Sequence, residues 1–154
     1  MNNDNKKIYL EQIDKKIKSF SILKNSVRPP EGWVHAIRTA LGMSLSHLGK
    51  RLNQSPQSIK GLEDREKSKA ITLNALEEVA RALDMRLVYS FIPKEKSLKK
   101  MLESQAETIA KSIVMKTSKT MHLENQGNSK IRINKAIKER KKEIIDNMPR
   151  YLWD

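Results

Sequence analysis

Apolar side chains recur at helical spacing along most of the chain, in blocks that Gly, Pro, Ser and Asn separate. The first block, residues 6–24, predicts an amphipathic helix that either docks on the core, which we favour, or packs on a second copy. The next block predicts a helix that Gly42 ends. The residues of that helix expected to face inward are Trp33, Ile37, Ala40 and Leu41.

The following stretch predicts two short helices that cross at a tight turn. Ser44 is suited to cap the first helix, whose Leu48 and Leu52 lie one turn apart and face inward. Gly49 falls where the two helices should come closest, so a larger side chain would push them apart. Asn53 falls where the chain leaves the first helix, and the left-handed conformation needed there suits Gly first and Asn next.

The second of these helices begins at a strong signal, Ser55 followed by Pro56, because Ser accepts hydrogen bonds from the first amides and Pro needs no partner there. Ile59 and Leu62 then face inward. The opposite side carries an amide, a hydroxyl and an ammonium group near a helix N-terminus, which suit base edges and phosphates in the major groove of DNA. The expected base-reading residues are Gln57, Ser58, Lys60 and Gly61.

A further helix, which Thr72 is placed to cap, adds another inward stripe. Four or five short helices around one small core are typical of a compact DNA-reading domain, so we interpret the two crossing helices as a helix-turn-helix. Two amphipathic helices with a Ser-Pro start also occur in proteins that never touch DNA, and that alternative stays open. The stripe of the further helix consists of Leu76, Val79, Ala80 and Leu83.

Residues 85–93 are rich in β-branched and aromatic side chains and end at a Pro, which predicts a strand. The sequence has no second run of this kind, and a lone strand leaves half of its hydrogen bonds unmet. We expect it to pair with its copy in a two-fold dimer, and the alternative is a partner strand elsewhere in the chain. The expected pairing residues are Leu87, Val88, Tyr89 and Phe91.

Two more helices are predicted over residues 97–118 and 130–146, separated by a polar break at residues 124–129. They carry more apolar surface than the small core should absorb, so they either thicken the dimer or bind a partner protein. The last residues include Leu152 and Trp153, whose side chains are costly to leave in water, and we expect this tail to dock in a groove.

Charge and composition narrow the class of partner. The 154 residues include 31 Lys and Arg against 18 Asp and Glu, a formal net charge of +13. Such a charge favours a polyanion, since phosphates that are bound by Lys or Arg release counterions. A solvated basic surface is the alternative, because Lys is scattered along every segment. Without any apolar run of membrane length or a secretion signal, we expect a cytoplasmic, nucleoid-associated protein.

No pattern for catalysis or metal binding stands out. Cys is absent, which excludes disulfides and thiol chemistry. His35, His47 and His122 lie far apart and lack acidic or thiol companions at ligand spacing. Gly-rich phosphate loops and nucleophile elbows do not occur. We therefore expect a protein without enzyme activity, metal or cofactor.

The order and spacing of residues 33–83 resemble the Cro and phage-repressor type of helix-turn-helix, also called the XRE family. The resemblance implies a lambda-repressor-like fold in which the outer face of the second helix meets base edges. It also implies that six residues lie near DNA phosphates, namely Arg38, Ser44, Ser55, Arg65, Lys67 and Lys69.

Over its whole length the chain is similar to the bacterial proteins called mobile mystery protein A. Proteins of that group typically accompany a Fic-domain protein, mobile mystery protein B, so the resemblance implies a regulator or antitoxin paired with an adenylyl-transferring enzyme. The similarity lies in the motifs Arg28-Pro29-Pro30-Glu31-Gly32-Trp33, Ala36-Ile37-Arg38, Ala40-Leu41-Gly42-Met43-Ser44, Leu87-Val88-Tyr89, Thr120-Met121-His122-Leu123-Glu124 and Leu152-Trp153-Asp154.

Thr120, Glu124 and Asn125 fit the short pattern Ser/Thr-x-x-x-Glu-Gly/Asn. The pattern resembles the inhibitory helix of Fic regulators, whose Glu pairs with an Arg that seats the terminal phosphate of the nucleotide. A carboxylate can displace a phosphate there because Arg binds both in a bidentate fork. The alternative is a chance match, in which Glu124 only ends the preceding helix or bonds its backbone.

Together these patterns predict a mainly α protein whose five-helix, lambda-repressor-like helix-turn-helix domain spans residues 29–84. An N-terminal helical arm (1–28) precedes it, and a strand (85–93) and a C-terminal helical extension with the tail (94–154) follow it. The predicted function is sequence-specific binding of double-stranded DNA by a homodimeric regulator of its own operon. The alternatives are an antitoxin that inhibits a Fic-domain adenylyltransferase through the C-terminal region, which can coexist with DNA reading, and non-specific nucleoid-type binding.

Overall fold

The structure, a computed structural model, describes residues 2–123 and 130–154, and these residues are mainly helical, as the sequence predicts. The chain divides into two compact units, which we name the central unit (Asn25–Ser90) and the flanking unit (Met1–Lys24 with Phe91–Asp154). Short 3-10 helices cover Ser21–Asn25 and Arg150–Trp153. The α-helices of the described residues are α1 (Asn3–Lys18), α2 (Trp33–Ala40), α3 (Leu45–Leu52), α4 (Pro56–Lys67), α5 (Leu73–Ala82), α6 (Leu98–Leu123) and α7 (Lys130–Asn147).

The central unit, all of whose residues are described, contains the four helices α2 to α5 rather than the predicted five. The N-terminal helix does not supply a fifth, because it belongs to the flanking unit. The core of the central unit lies between the four helices, and α3 packs on both α4 and α5. It is formed by Val34, Leu48, Ile59, Leu62, Val79 and Leu83.

The inward face of α2 differs from the predicted stripe. Val34 is buried, whereas Trp33 and Leu41 are about half exposed, at 48% and 57%. Because α2 has only eight residues, a stripe displaced by one position fits its sequence almost as well. The partly buried Ile37 is the predicted residue that does pack against the core.

The strand predicted over residues 85–93 is not confirmed. This stretch has no regular secondary structure, and the structure has no strand anywhere in residues 2–123 and 130–154. A strand is defined by a hydrogen-bonded neighbour, and the described part of one chain supplies none for Leu87, Val88 or Tyr89. The stretch begins with a turn bond, in which the Met85 amide donates to the Ala80 carbonyl over 2.8 Å.

The flanking unit has a core of its own, in which α6 packs along α7. Ala106 and Ala110 are fully buried on α6, and such small side chains let two helices approach closely. The two helices therefore bury part of their apolar surface against each other. The buried residues of this core are Leu102, Ala106, Ala110, Ile144 and Leu152.

The first helix packs on α6, not on the core of the central unit as we favoured from the sequence. The Asp14 carboxylate accepts hydrogen bonds from the amides of Leu98 (2.7 Å) and Lys99 (3.1 Å). These are two of the amides that the start of a helix leaves without partners, and a negative charge there is favourable. Asp14 thus caps α6 from a distant part of the sequence.

The C-terminal tail docks in the flanking unit, as predicted, through one residue. Leu152 is buried, and its carbonyl accepts a hydrogen bond from Gln105 over 2.9 Å. Trp153 remains 63% exposed. Among residues 2–123 and 130–154, no helix is both long enough and apolar enough to cross a membrane.

Candidate nucleic-acid interface

The start of α3 is fixed by a reciprocal pair of hydrogen bonds. The Ser44 hydroxyl accepts from the His47 amide over 3.1 Å, as predicted for a capping residue. In return, the His47 ring nitrogen Nδ1 accepts from the Ser44 amide over 3.2 Å. His47 takes the place that Glu or Gln usually holds in a capping box, a role that the sequence did not indicate.

The turn between α3 and α4 has the backbone that the sequence predicts. Asn53 is in the left-handed region, with φ 54° and ψ 40°. Gly49 is needed mainly by the turn itself, since a Cβ at this position would lie 2.5 Å from the carbonyl oxygen of Gln54. The facing helix is less restrictive, because the nearest Ile59 atom would be 3.6 Å away.

The start of α4 also follows the prediction. Pro56 is its first residue, and the Ser55 hydroxyl accepts from the Ser58 amide over 3.1 Å. The hydroxyl groups of Ser55 and Ser58 are hydrogen-bonded to each other as well, over 3.0 Å. Both side chains therefore stabilise the first turn of α4 from its solvent-facing side.

The outer face of α4 is open within the central unit. Gln57, Ser58 and Lys60 are exposed, as predicted. Lys60 forms an ion pair one turn along the helix, with its Nζ 2.9 Å from Oδ1 of Asp64. The hydrogen bond and the charge of Asp64 raise the pKa of Lys60 above its usual value.

Gly61 lies in the middle of α4 without a packing reason. A Cβ added there would have Arg65 Nη1 as its nearest neighbour, at an ordinary contact distance of 3.6 Å. A glycine inside a helix costs roughly 0.5–1 kcal/mol relative to alanine. The fold of the central unit therefore does not explain this residue.

The inner face of α4 contains a buried charge cluster that the sequence analysis missed. The side chain of Glu63 is only 2% exposed, and its two oxygens accept from Arg38 Nε (2.6 Å) and Nη2 (3.2 Å). His35 Nδ1 lies 3.0 Å from the same carboxylate. Burial raises the pKa of Glu63, but the hydrogen bonds and charges of Arg38 and His35 outweigh burial and hold the pKa below its usual value.

A second buried carboxylate on α4 holds the start of α2. Glu66 accepts from the amides of Trp33 (2.8 Å) and Val34 (2.9 Å). This contact explains Gly32, which has φ 92° and whose added Cβ would lie 2.7 Å from Glu66. Arg28 in turn donates to the carbonyl of Glu66 over 2.6 Å, near the C-terminal end of α4.

A sequence signal for the two carboxylates exists. Glu63 and Glu66 continue the inner stripe of Ile59 and Leu62 at spacings of three and four residues, which places them on the buried side of α4. The inward face predicted for α4 consists of Ile59 and Leu62 and lacks these two acidic residues.

The residues assigned to DNA phosphates by resemblance lie in different environments. Arg38 is directed into the protein, with its side chain 12% exposed and Nη1 donating to the Met43 carbonyl over 2.8 Å. Lys67 is exposed but paired with Glu31 over 2.8 Å, a contact that lowers the pKa of Glu31. Arg65 and Lys69 are exposed. Ser44 and Ser55 are the capping residues of α3 and α4.

Of the three residues in the proposed Fic-inhibitory pattern, the structure describes Thr120. The Thr120 hydroxyl donates to the Lys116 carbonyl over 3.1 Å, an ordinary contact within α6. Glu124 and Asn125 lie outside the described residues. The part of the chain that the structure describes holds no group of three or more side chains able to bind a metal ion.

Comparison with known proteins adds no relative. No family model matches the chain, and neither a curated protein nor a solved structure matches it significantly.

Proposed function

We propose that the protein is a sequence-specific regulator that reads duplex DNA with the outer face of α4. The support is geometric, because a capped helix α3, a left-handed residue in a short turn and a second helix that begins at Pro56 are the parts of a helix-turn-helix. Such a motif lays its second helix in the major groove, with the N-terminal residues on base edges.

The observation that carries the proposal is the contrast between the two sides of α4. Its inner side packs in the core and binds α2 through buried carboxylates. On its outer side, Ser58 and Lys60 bond, among the described residues, only within α4 and its cap, and no described residue packs against Gly61 closely enough to require a glycine. A helix face that is kept clear and includes a glycine is expected where another surface approaches closely.

We expect the protein to bind the DNA upstream of its own coding sequence more tightly than random DNA. Gln57→Ala and Lys60→Ala should each weaken the sequence-specific binding by ~1–3 kcal/mol, the usual value of a base contact. Lys60 can exchange Asp64 for DNA at little cost, because an exposed ion pair contributes at most about 1 kcal/mol. A gel-shift titration with random competitor DNA measures both affinities.

Lys116→Ala is the matched control, since it removes the same charge from an exposed position on α6. It should leave the ratio of upstream to random binding unchanged. The assigned reading face is wrong if Gln57→Ala and Lys60→Ala both bind upstream DNA as the parent does, with unchanged melting temperatures.

Five of the six phosphate contacts implied by resemblance stay in the proposal. Arg38 is left out, because it would have to abandon a buried carboxylate, which costs several kcal/mol. Lys67 would only leave the exposed partner Glu31. The remaining set consists of Ser44, Ser55, Arg65, Lys67 and Lys69.

A two-fold dimer completes the proposal, and the segment after α5 supports it. Leu87, Val88 and Tyr89 make no hydrogen bond with any described residue, and Tyr89 is 63% exposed. A segment whose backbone groups lack hydrogen bonds and whose apolar side chains are exposed favours pairing with a second strand. Two copies related by a two-fold axis would present their α4 helices to half-sites roughly 34 Å apart.

Light scattering tests the dimer. We expect twice the monomer mass for the parent chain, and mostly monomer for Val88→Lys, because like charges across a strand pair repel each other. Val27→Lys is the control, since Val27 is exposed in the same unit but lies outside the pairing segment. A monomeric parent at high micromolar concentration would rule the dimer out.

The antitoxin role stays a prediction that rests on the resemblance. No contact among the described residues bears on it. It is compatible with DNA reading, since the two roles use different parts of the chain.

A further inference from the structure

Most of the net charge is not in the unit that carries the candidate reading helix. The ranges of the flanking unit hold 21 Lys and Arg against 11 Asp and Glu, whereas the central unit holds 10 against 7. The division into units assigns most of the net charge to α1, α6, α7 and the segments around them.

Five of the 21 basic side chains of the flanking unit form an ion pair with a described carboxylate, and four of the five lie on α6 or α7. Lys111 and Lys141 both bind Glu107, at 2.6 and 2.8 Å, and their hydrogen bonds and charges lower the pKa of Glu107 to about 2. Arg140 pairs with Glu143 over 2.7 Å. Lys7 pairs with Asp146 over 2.7 Å.

Three lysines without such a pair lie together on one side of α7. Lys135, Lys138 and Lys142 are exposed and form no ion pair with a described carboxylate. The hydrogen bond and the charge of Lys7 lower the pKa of Asp146, and the charge of Lys142 contributes less to this shift. Their spacing of three and four residues places them along one face of the helix, and they line one groove of about 700 Å³. We name these three residues the α7 lysine row. The groove is also lined by the carboxylates of Glu103 and Glu139, by Lys141 and by Ile145.

We infer that the α7 lysine row binds the phosphate backbone of duplex DNA. The row extends over about 10 Å of the helix, given a rise of 1.5 Å per residue. A duplex presents roughly six negative charges over that length, at one per ~1.7 Å. The inference stands apart from the reading face on α4, because contacts to phosphates carry no sequence information.

The composition of the groove favours duplex DNA over two other partners. Single-stranded nucleic acid is usually held by aromatic side chains that stack on its bases, and the described lining of this groove contains no aromatic residue. A protein partner usually meets an apolar centre with charges at its rim, and among the described residues of the lining Ile145 is the only hydrophobic one. Lysines along an open groove can form ion pairs with the phosphates of a duplex, which are regularly spaced negative charges.

The test is the salt dependence of binding by the full chain to a random-sequence duplex. The triple variant Lys135→Gln/Lys138→Gln/Lys142→Gln should lower the slope of log affinity against log salt by ~2–3, at about 0.9 for each phosphate that is no longer bound. Affinity for random and upstream DNA should fall by the same factor, roughly tenfold or more at low salt. The specificity ratio should stay that of the parent.

The matched control is Lys99→Gln/Lys116→Gln/Lys119→Gln, which removes the same charge from exposed positions of α6. A smaller change in slope is expected for this control. Equal changes in the two triples, a parent-like slope for the row variant, or tighter binding of the parent to a single strand than to duplex would each overturn the inference.

The two proposals fail in different ways. If the parent binds upstream and random DNA equally, the reading face on α4 is wrong, while the comparison of the two triples still decides the role of the α7 lysine row. If only the row fails, upstream binding still responds to Gln57→Ala and Lys60→Ala.

Discussion

Glu63→Gln should lower the free energy of unfolding by about 3–5 kcal/mol, the usual loss when one partner of a buried ion pair is removed. The amide keeps the size of the side chain but not its charge. Arg38, whose side chain is only 12% exposed, would then remain a cation without its counter-charge. Chemical denaturation of the parent and the variant measures the difference.

The same contact predicts how the difference depends on pH. The folded pKa of Glu63 lies below its unfolded value, so the carboxylate contributes its stabilisation fully above the unfolded pKa. That stabilisation is lost as the pH falls through the folded pKa. The difference in free energy of unfolding between parent and variant should therefore be constant near neutral pH. It should shrink in the acidic range, below the ordinary pKa of a glutamate.

Two controls separate the buried pair from a general effect of charge. Glu77→Gln changes an exposed carboxylate in the same unit and should shift stability by no more than about 0.5 kcal/mol. In the double variant Glu63→Leu/Arg38→Met the lone buried charge is removed, so part of the loss should be regained. A loss below ~1 kcal/mol for Glu63→Gln would contradict the burial of this pair.

Gly49→Ala should destabilise the central unit by about 3 kcal/mol, at the upper end of the cost of overpacking. The added Cβ would lie 2.5 Å from the carbonyl oxygen of Gln54, a backbone atom that cannot rotate away. That carbonyl belongs to the turn that joins α3 to α4. The gain of roughly 1 kcal/mol that alanine brings to a helix is too small to offset this clash. Thermal and chemical unfolding measure the net effect.

Gly61→Ala is the matched substitution on the facing helix, with the opposite sign expected. Its Cβ meets only Arg65 Nη1 at 3.6 Å, so the variant should gain roughly 0.5–1 kcal/mol of stability. If α4 enters the major groove, the same methyl group should weaken binding to upstream DNA. A variant that is more stable and binds as tightly as the parent would show that this turn of α4 does not approach DNA closely.

The buried carboxylates connect the fold of α4 to its proposed role. Glu63 and Glu66 bind α2 from the inner face of the helix, and Arg28 donates to the carbonyls of Glu66 and Lys67 at its end. These bonds fix the rotation of α4 about its own axis. A recognition helix held in this way presents Gln57 and Lys60 in one orientation, which lowers the entropy that binding must overcome.

Local signals predicted the helix ends and the turn of the central unit well. Ser44, Ser55 and Thr72 each accept a hydrogen bond from the amide three residues later, as expected of capping residues. Asn53 has the left-handed backbone that its position indicated. These features involve residues at most a few positions apart, so a short stretch of sequence contains all the groups that form them.

The partners of the buried or capping carboxylates could not be predicted from local sequence. Glu63 binds Arg38, which is 25 positions away in the sequence, and Asp14 binds the start of α6, which is 84 positions away. Burial of a carboxylate depends on whether a cation or a row of amides happens to face it in the folded chain. For the same reason, nothing in the sequence of α1 told whether it would pack on the central unit or on α6.

The order of amino acids determined the helices, the caps of α3, α4 and α5 and the open polar face of α4, because short-range hydrogen bonds and apolar periodicity settle these within one or two turns. Only the tertiary structure decided that Arg38 is a buried partner of Glu63, that residues 85–93 form no strand within one chain, and that the excess charge belongs to the flanking unit. Each of these depends on which distant segments pack together, and that choice is made by the summed burial of the whole chain.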